Sequence, residues 1–165
     1  MKQLWAPWRM QYIQHSEPEP GCLFCNLIRQ DDDEANLIIY RGPRCFVMLN
    51  LYPYNSGHLM VVPYQHTGSV DAVEPEVGAE MFATAQLAVR AIDRVMEPDG
   101  YNLGVNQGNI SGAGVPDHIH LHVVPRWSGD TNFMPVLADA KVMPELLTAT
   151  AEKLRPAFQE LRAAG

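Results

Sequence analysis

The feature that most constrains this chain is the segment 117–126, in which histidines alternate with large apolar residues: Asp-His-Ile-His-Leu-His-Val-Val-Pro-Arg. Strict alternation predicts a half-buried β-strand, because successive side chains of a strand point to opposite faces. We expect the apolar side chains to face the core and the histidines, on an exposed face, to contribute little packing. Any polar residue serves on a solvated face, so three imidazoles in one row indicate a reaction centre. The three are His118, His120 and His122.

The spacing of these histidines indicates that they do not all have the same role. Same-face neighbours on a strand lie about 6.5–7 Å apart, which separates the backbones of His118 and His122 by about 13 Å. Two adjacent imidazoles can converge on one metal ion, but three on a straight strand cannot, so at least one histidine must do something else. Neutral imidazole is a good nucleophile toward phosphorus, and a protonated neighbour supports charge on phosphate oxygens.

Length and charge narrow the class of protein. A chain of 165 residues with 47% hydrophobic content predicts one globular domain over 1–165, with an arm at 1–21, a core at 22–127 and a C-terminal extension at 128–165. The formal net charge of −7 argues against nucleic acid and anionic membranes as partners, although a small phosphorylated ligand needs only a few local donors. No apolar run has membrane-spanning length and the first residues lack a signal-peptide pattern, so we expect a cytoplasmic protein.

The remaining patterns predict an α+β fold with an antiparallel sheet of about five strands. A long helix over Glu74–Glu97 carries apolar residues at helical spacing, and we expect its Met and Phe side chains in the core. A short helix around Cys22–Gln30 and a last helix over about Met143–Leu161 complete the helices. The further predicted strands are Leu37–Arg41, Cys45–Leu51, His58–Pro63 and Tyr101–Asn106.

A glycine-rich loop directly precedes the histidine strand. Gly108, Gly112 and Gly114 lie within seven residues and allow backbone N–H groups to converge on an anion. The loop matches neither the Walker A nor the dinucleotide glycine pattern. Its position beside the histidines predicts a phosphate-binding loop.

The cysteines leave several interpretations open. Cys22 and Cys25 form a Cys-x-x-Cys pair, which is a redox pair, half of a zinc site or a coincidence at a helix start. The Pro- and Glu-rich run before Cys22 does not predict the buried strand that a thioredoxin-like unit needs. A zinc site needs two more ligands, for which His66 and His118 are the preferred candidates. Cys45 lies in an apolar run and is expected in the core.

The N-terminal arm predicts self-association. Trp5, Trp8 and Tyr12 have too little neighbouring sequence to bury them, and large exposed apolar patches usually mark interfaces. We therefore expect a homodimer or a higher homo-oligomer.

Taken together, these residues resemble the histidine triad (HIT) superfamily of nucleotidyl hydrolases and transferases. The signature His-φ-His-φ-His-φ-φ is met by residues 118–124, and the element that begins at Asn50 and continues through Gly57-His58 to Pro63 is similar to a second family motif. With Asn106-Gln107-Gly108 and the glycine loop, the resemblance covers about residues 20–127. It implies a HIT-like fold, with one long helix, a C-terminal helix and a dimer that pairs through the long helix and one strand.

Three shorter segments are similar to the bacterial branch of diadenosine tetraphosphate phosphorylases and hydrolases: Trp5–Arg9, Arg126-Trp127 and Asp130–Met134. One departure is that Ala113-Gly114 stands where the family often has Gln-Ser or Gln-Thr. That difference leaves open which group assists the leaving phosphate.

The resemblance implies roles for residues at matching positions. His120 would attack the α-phosphorus and carry a nucleotidyl-imidazole intermediate, His122 would contact α-phosphate oxygens, and Asn106 would orient the histidine. These are the candidate catalytic residues. The implied nucleotide-binding set is Asn50, for the ribose hydroxyls, with Leu51, Asn106, Gly112, Ala113, Gly114, His120 and His122.

The resemblance also implies a zinc site. In zinc-containing members, and in the related galactose-1-phosphate uridylyltransferases, the matching positions hold the metal; here they are Cys22, Cys25, His66 and His118. A closed site with four protein ligands would be structural and would attach the N-terminal segment to the histidine strand.

The function that the resemblance implies is cleavage of dinucleoside polyphosphates such as diadenosine tetraphosphate, with phosphorolysis slightly favoured over hydrolysis. Arg126, and more weakly Lys141, would hold the distal or the incoming phosphate. Apolar contacts to the base predict modest base selectivity. The alternatives are hydrolysis of AMP-linked phosphoramidates or adenylates, a zinc hydrolase in which His118 and His120 activate water, and a regulatory module that binds nucleotide without chemistry.

Overall fold

The computed structural model describes residues 20–130 and 143–164. The predicted aromatic arm (Trp5–Arg9 with Tyr12), most of the Asp130–Met134 segment and Lys141 lie outside the described residues.

The described residues form a five-stranded antiparallel sheet in the order β1-β2-β3-β5-β4, with three α-helices. This confirms the predicted α+β class and strand number. The strands are β1 (Ile38–Arg41), β2 (Cys45–Leu49), β3 (Leu59–Pro63), β4 (Gly100–Val105) and β5 (Leu121–Arg126), and the helices are α1 (Leu23–Arg29), α2 (Pro75–Met96) and α3 (Leu147–Ala163).

Both faces of the sheet are covered. β2 and β3 are buried along their whole length, and their side chains alternate between two apolar clusters. A strand buried on both faces reads as a continuous apolar run, which explains why neither strand shows polar alternation. What we call the aliphatic face packs against α2 and α3 through Val47, Leu49, Leu59, Val61 and Val123. The opposite face, called the histidine face, lies under α1 and carries Phe46, Met48, Met60 and Val62 beside His122.

The long helix α2 begins with Pro75, whose fixed φ and missing N–H suit the first helical position. It ends at Met96, and the next residue, Glu97, adopts a left-handed φ of 48°. The expectation that its Met and Phe side chains lie in the core holds for Met81 but is wrong for Phe82, which is 62% exposed. One residue along a helix turns the side chain by about 100°, so the neighbour of a buried methionine faces outward.

α3 closes the aliphatic face beside α2 and β1. Leu154 and Phe158 are fully buried, and Arg94 of α2 pairs with Glu160. Arg155 donates to the backbone carbonyls of Ile38 and Asp33, which holds the edge of the sheet in place. Among the described residues, no helix is long and apolar enough to cross a membrane.

Candidate active site and metal centre

The three histidines of the motif are all buried. β5 begins at Leu121, so His118 and His120 lie in the segment that leads into the strand, and His122 is its second residue. Their exposures are 1%, 3% and 8%, so the expectation of an exposed histidine face is wrong. α1 covers that face, and the ring of Phe24 meets His118 and His120 edge-on with centroids 5.3 and 5.1 Å away.

His120 is held in one tautomer. Its Nδ1–H donates to the backbone carbonyl of His118 at 2.9 Å, which leaves the lone pair on Nε2. Burial lowers the pKa of His120 below its ordinary value, so the ring is neutral at pH 7. A neutral imidazole with one oriented lone pair is equipped to act as a nucleophile.

A series of hydrogen bonds through His58 fixes the tautomer of His122. The backbone N–H of Tyr54 donates to His58 Nδ1 at 3.1 Å, so the proton of His58 is on Nε2. His58 Nε2 then donates to His122 Nδ1 at 2.9 Å, which places the proton of neutral His122 on its Nε2. The rings of His120 and His122 are 4.7 Å apart. The structure therefore sets a lone pair and an N–H donor side by side.

His58 is a residue whose role the sequence did not reveal. It is fully buried directly before β3, and its side chain contacts His122 on the neighbouring strand β5. The available signal was a histidine at the head of an apolar run that is buried on both faces. A buried imidazole needs hydrogen-bond partners, so such a position predicts a polar network.

A second cluster brings together the four residues predicted to bind zinc: Cys22, Cys25, His66 and His118. Their ligand atoms all lie within 4.8 Å of one another. Cys22 Sγ is 3.2 Å from His118 Nδ1, Cys25 Sγ is 3.6 Å from His66 Nδ1, and the two Nδ1 atoms are 3.3 Å apart. Ligand atoms around tetrahedral zinc are separated by about 3.3–3.8 Å, given its usual bond lengths. The cluster therefore fits the metal.

The tautomer of His118 supports the same fit. Its Nε2–H donates to the carbonyl of Pro63 at 2.8 Å, so the lone pair on Nδ1 faces the two thiols. Metal-binding histidines usually donate their other N–H to a carbonyl or carboxylate in this way. The loop after β3 brings His66 to this point, because Ile119 N–H donates to the carbonyl of Thr67.

A cavity of about 260 Å³ lies on the histidine face next to His120 and His122. It extends across the sheet from the segment before β1 to β5, a distance of three strand spacings or about 14 Å. Most of its lining is apolar. Lining residues include Leu23, Phe24, Leu27, Asn36, Leu37, Met48, Asn50, Leu51, Tyr52, Gly112 and Gly114.

Six of the eight predicted nucleotide-binding residues line this cavity, and two do not. Ala113 is flanked by two lining glycines. Asn106 follows β4, and because Val105 pairs with Leu121, it comes level with His120 on the neighbouring strand. Asn50 lines the cavity while its Oδ1 accepts from the N–H of Tyr52 at 2.9 Å.

Arg126 is placed away from the cavity. It is six residues along the chain from His120, about 20 Å in a strand, at the other end of β5. Its guanidinium donates to Asp130 at 2.6 and 2.9 Å and to Asn102 at 2.7 Å. The structure therefore contradicts the predicted phosphate-binding role of Arg126.

Comparison with known proteins identifies relatives of this chain. A match to the HIT domain family covers residues 32–129. The chain is 40% identical over 162 residues to an AP-4-A phosphorylase of Mycobacterium tuberculosis, covering 93% of this chain and 83% of that protein. It is 30% identical to the adenylylsulfatase HINT3 of Arabidopsis thaliana, over 72% of this chain and 58% of that one.

A solved structure shares the architecture. The crystal structure of a zinc-bound histidine triad family protein from Mycobacterium smegmatis superposes with a TM-score of 0.72 at 30% identity. The match covers 88% of this chain and 98% of that one.

Proposed function

The chain belongs to the HIT domain family, and from that premise we propose that it is a nucleotidyl transferase or hydrolase that cleaves dinucleoside polyphosphates of the diadenosine tetraphosphate type. The observation that carries the proposal is the fixed tautomer of His120, whose Nε2 lone pair lies beside a cavity of about 260 Å³. The volume of the cavity is near the lower end of the range for ligand sites, which begins at about 300 Å³. The cavity is therefore suited to one nucleotide rather than two.

The first proposed step is attack by His120 Nε2 on the α-phosphorus. An N–P bond forms, the bond from phosphorus to the bridging oxygen breaks, and the electron pair leaves with the polyphosphate. Because His58 donates to His122 Nδ1, the proton of His122 is on Nε2. This N–H stabilises the negative charge on the phosphate oxygens. In the second step an acceptor oxygen attacks phosphorus and releases the nucleotidyl group from His120.

The proposed nucleotide site follows the cavity. Asn50 and Leu51 contact the ribose region, and the backbone amides of Gly112, Ala113 and Gly114 face the phosphates. Asn106, which directly follows β4 and lies level with His120, orients the catalytic histidine.

We propose that Cys22, Cys25, His66 and His118 hold a structural zinc ion. When bound, zinc with four protein ligands is a cross-link without an open position for water. Cys22 directly precedes α1 and Cys25 lies in it, while His66 lies in the loop after β3 and His118 in the segment before β5. Their attachment therefore supports the position of α1 over the histidine face. The alternative in which His118 and His120 share a catalytic metal is not favoured, because His118 Nδ1 faces the thiols while His120 lines the cavity.

The molecule that accepts the nucleotidyl group from His120 in the second step distinguishes phosphorolysis from hydrolysis. We favour inorganic phosphate, and the AP-4-A phosphorylase of Mycobacterium tuberculosis supports that choice. The similarity to an adenylylsulfatase keeps AMP-linked substrates as a second candidate.

Product analysis tests the proposal directly. Diadenosine tetraphosphate is incubated with the protein with and without millimolar phosphate. ADP with ATP indicates phosphorolysis, whereas AMP with ATP indicates hydrolysis. Tight AMP binding with neither product, and no nucleotidylated protein trapped in a single turnover, would favour the regulatory module.

We also propose a cytoplasmic homodimer. β4 is an edge strand of the sheet, and Leu103 and Val105 are 45% and 38% exposed. An exposed apolar edge strand is a template for pairing with another chain, and Phe82 adds a large exposed ring on α2. Light scattering should give a mass near twice 18.4 kDa, and a mass of 18.4 kDa at micromolar concentration would reject the dimer.

A further inference from the structure

We propose that Asn36 makes the cavity selective for adenine, through the exocyclic amino group at C6. The inference rests on the proposed function and concerns the end of the cavity farthest from the histidines. Asn36 precedes β1 and lines the cavity, whereas His120 and His122 line it at β5. With the α-phosphorus beside His120, the base extends along the cavity toward Asn36. The two backbone segments are about 14 Å apart, and the side chains at both ends shorten the gap that the nucleotide must span.

The amide of Asn36 has a defined orientation. Its Nδ2 donates to the backbone carbonyl of Leu27 at 3.3 Å. A carbonyl only accepts, so a flipped amide would set two oxygens against each other and lose this bond. Among residues 20–130 and 143–164, Oδ1 has no hydrogen-bond partner. Because Asn36 lines the cavity, we assign this oxygen as a hydrogen-bond acceptor at the base end.

The backbone around Asn36 is held firmly. Asn36 N–H donates to the carbonyl of Asp32, and Arg155 donates to the carbonyls of Asp33 and Ile38 on either side. Leu37 adopts a φ of 55°, a left-handed conformation that a bulky side chain rarely takes. Leu37 packs against the aliphatic cluster. A side chain on such a constrained backbone is preorganised and discriminates between ligands better than a mobile one.

The chemistry of the bases then decides the preference. Adenine offers an exocyclic N–H₂ donor at C6, where hypoxanthine and guanine carry a carbonyl oxygen. A carbonyl facing Oδ1 leaves two acceptors opposed, which costs more than a missing apolar contact. Cytosine also carries an amino group, but the smaller pyrimidine spans less of the cavity. The apolar walls alone predicted only modest selectivity, and this acceptor sharpens that prediction.

The test compares two substrates that differ only at one edge of the base. In each base, diadenosine tetraphosphate has an amino group at C6, whereas diinosine tetraphosphate has an oxo group at C6 and a proton on N1. For the wild-type protein, kcat/KM should be about 10- to 100-fold higher for the adenine substrate, the range expected when one partly buried acceptor loses its donor. Asn36→Ala should reduce that ratio to within about threefold, chiefly by lowering kcat/KM for diadenosine tetraphosphate, because the adenine amino group then has no acceptor.

A matched control separates this effect from a general loss of an asparagine amide. Asn26 lies on the same helix as Leu27, donates to the carbonyl of Pro20 at 3.2 Å and is not in the cavity lining. Asn26→Ala should keep the full adenine preference. Dissociation constants of AMP and IMP, measured by calorimetry, should show the same pattern without turnover.

The outcomes distinguish the two proposals. A protein that neither cleaves nor binds any of these nucleotides contradicts the proposed function. Equal rates on both substrates by the wild type, or an unchanged ratio in folded Asn36→Ala, contradict the role of Asn36 and leave the function intact.

Discussion

The aliphatic face and the histidine face are built from the same strands, yet they differ in what stabilises them. On the aliphatic face, side chains such as Val47 and Leu59 pack against α2 and α3 and are fully buried. On the histidine face, His58, His120 and His122 are also buried, but each depends on a hydrogen bond in a definite tautomer. Apolar burial tolerates many combinations of side chains, whereas a buried imidazole has few acceptable partners.

This difference predicts that the face on which a substitution lies decides whether it affects mainly stability or mainly catalysis. A change on the aliphatic face should lower the free energy of unfolding and leave the reaction unaffected. A change on the histidine face should reduce turnover more than stability. The following predictions test that separation from the largest expected effect to the smallest.

His120→Asn should remove the nucleophile and lower kcat by at least about 10³-fold, since asparagine offers no comparable lone pair to phosphorus. The asparagine keeps a donor for the carbonyl of His118, so AMP binding should remain within a few-fold of wild type. Stopped assays for kcat and calorimetry with AMP measure the two effects. Wild-type turnover in this variant would reject His120 as the nucleophile.

Leu154→Ala should show the opposite pattern. Leu154 is fully buried on α3, and removing three carbons there should lower the free energy of unfolding by about 2–5 kcal/mol. Because Leu154 lies on the aliphatic face, kcat at a temperature where the variant is folded should stay within about twofold. Urea unfolding monitored by circular dichroism measures the loss, and a large fall in kcat would contradict the separation of the faces.

Cys22→Ser should lose zinc together with part of the stability. Protein purified without added metal should contain about one zinc per chain by elemental analysis, and the variant far less. Its Tm should fall by several degrees, because α1 loses one attachment to the segment before β5. Cys45→Ser, which changes a cysteine on the aliphatic face, is the control and should keep its zinc. Metal-free wild-type protein of normal Tm would overturn the structural role.

His58→Ala should lower kcat by about 10- to 100-fold, since the tautomer of His122 is no longer fixed. The KM should change less than kcat, because His58 is not in the cavity lining. His58→Gln keeps an acceptor for Tyr54 N–H and a donor for His122, so it should recover part of the rate. A glutamine variant no better than alanine would indicate that His58 acts only through packing.

Sequence patterns predicted the strands, the long helix and the family well. The strands, the long helix and the family are confirmed, because apolar periodicity and a rare histidine signature are local in the sequence. The four residues Cys22, Cys25, His66 and His118 do come together, and that set came from the resemblance and not from spacing alone.

The errors have a common physical cause, which is that neighbours in space are distant in sequence. The histidines seemed exposed because nothing in their own strand shows that Phe24, more than ninety positions earlier, covers them. Arg126 seemed available for phosphate because its partner Asn102, 24 positions earlier, becomes a neighbour only once the sheet forms. The role of Asn36 likewise depends on the carbonyl of Leu27, to which no sequence motif points.

The bond from His120 to the carbonyl of His118 has an evolutionary consequence. The orienting acceptor is a peptide oxygen, and every amino acid supplies one at that position. The side chain at 118 therefore has no direct role in orienting His120 and is left to the proposed zinc site. A lineage could replace that side chain and lose the proposed site while His120 kept its tautomer, so metal binding and reaction chemistry can diverge independently within one fold.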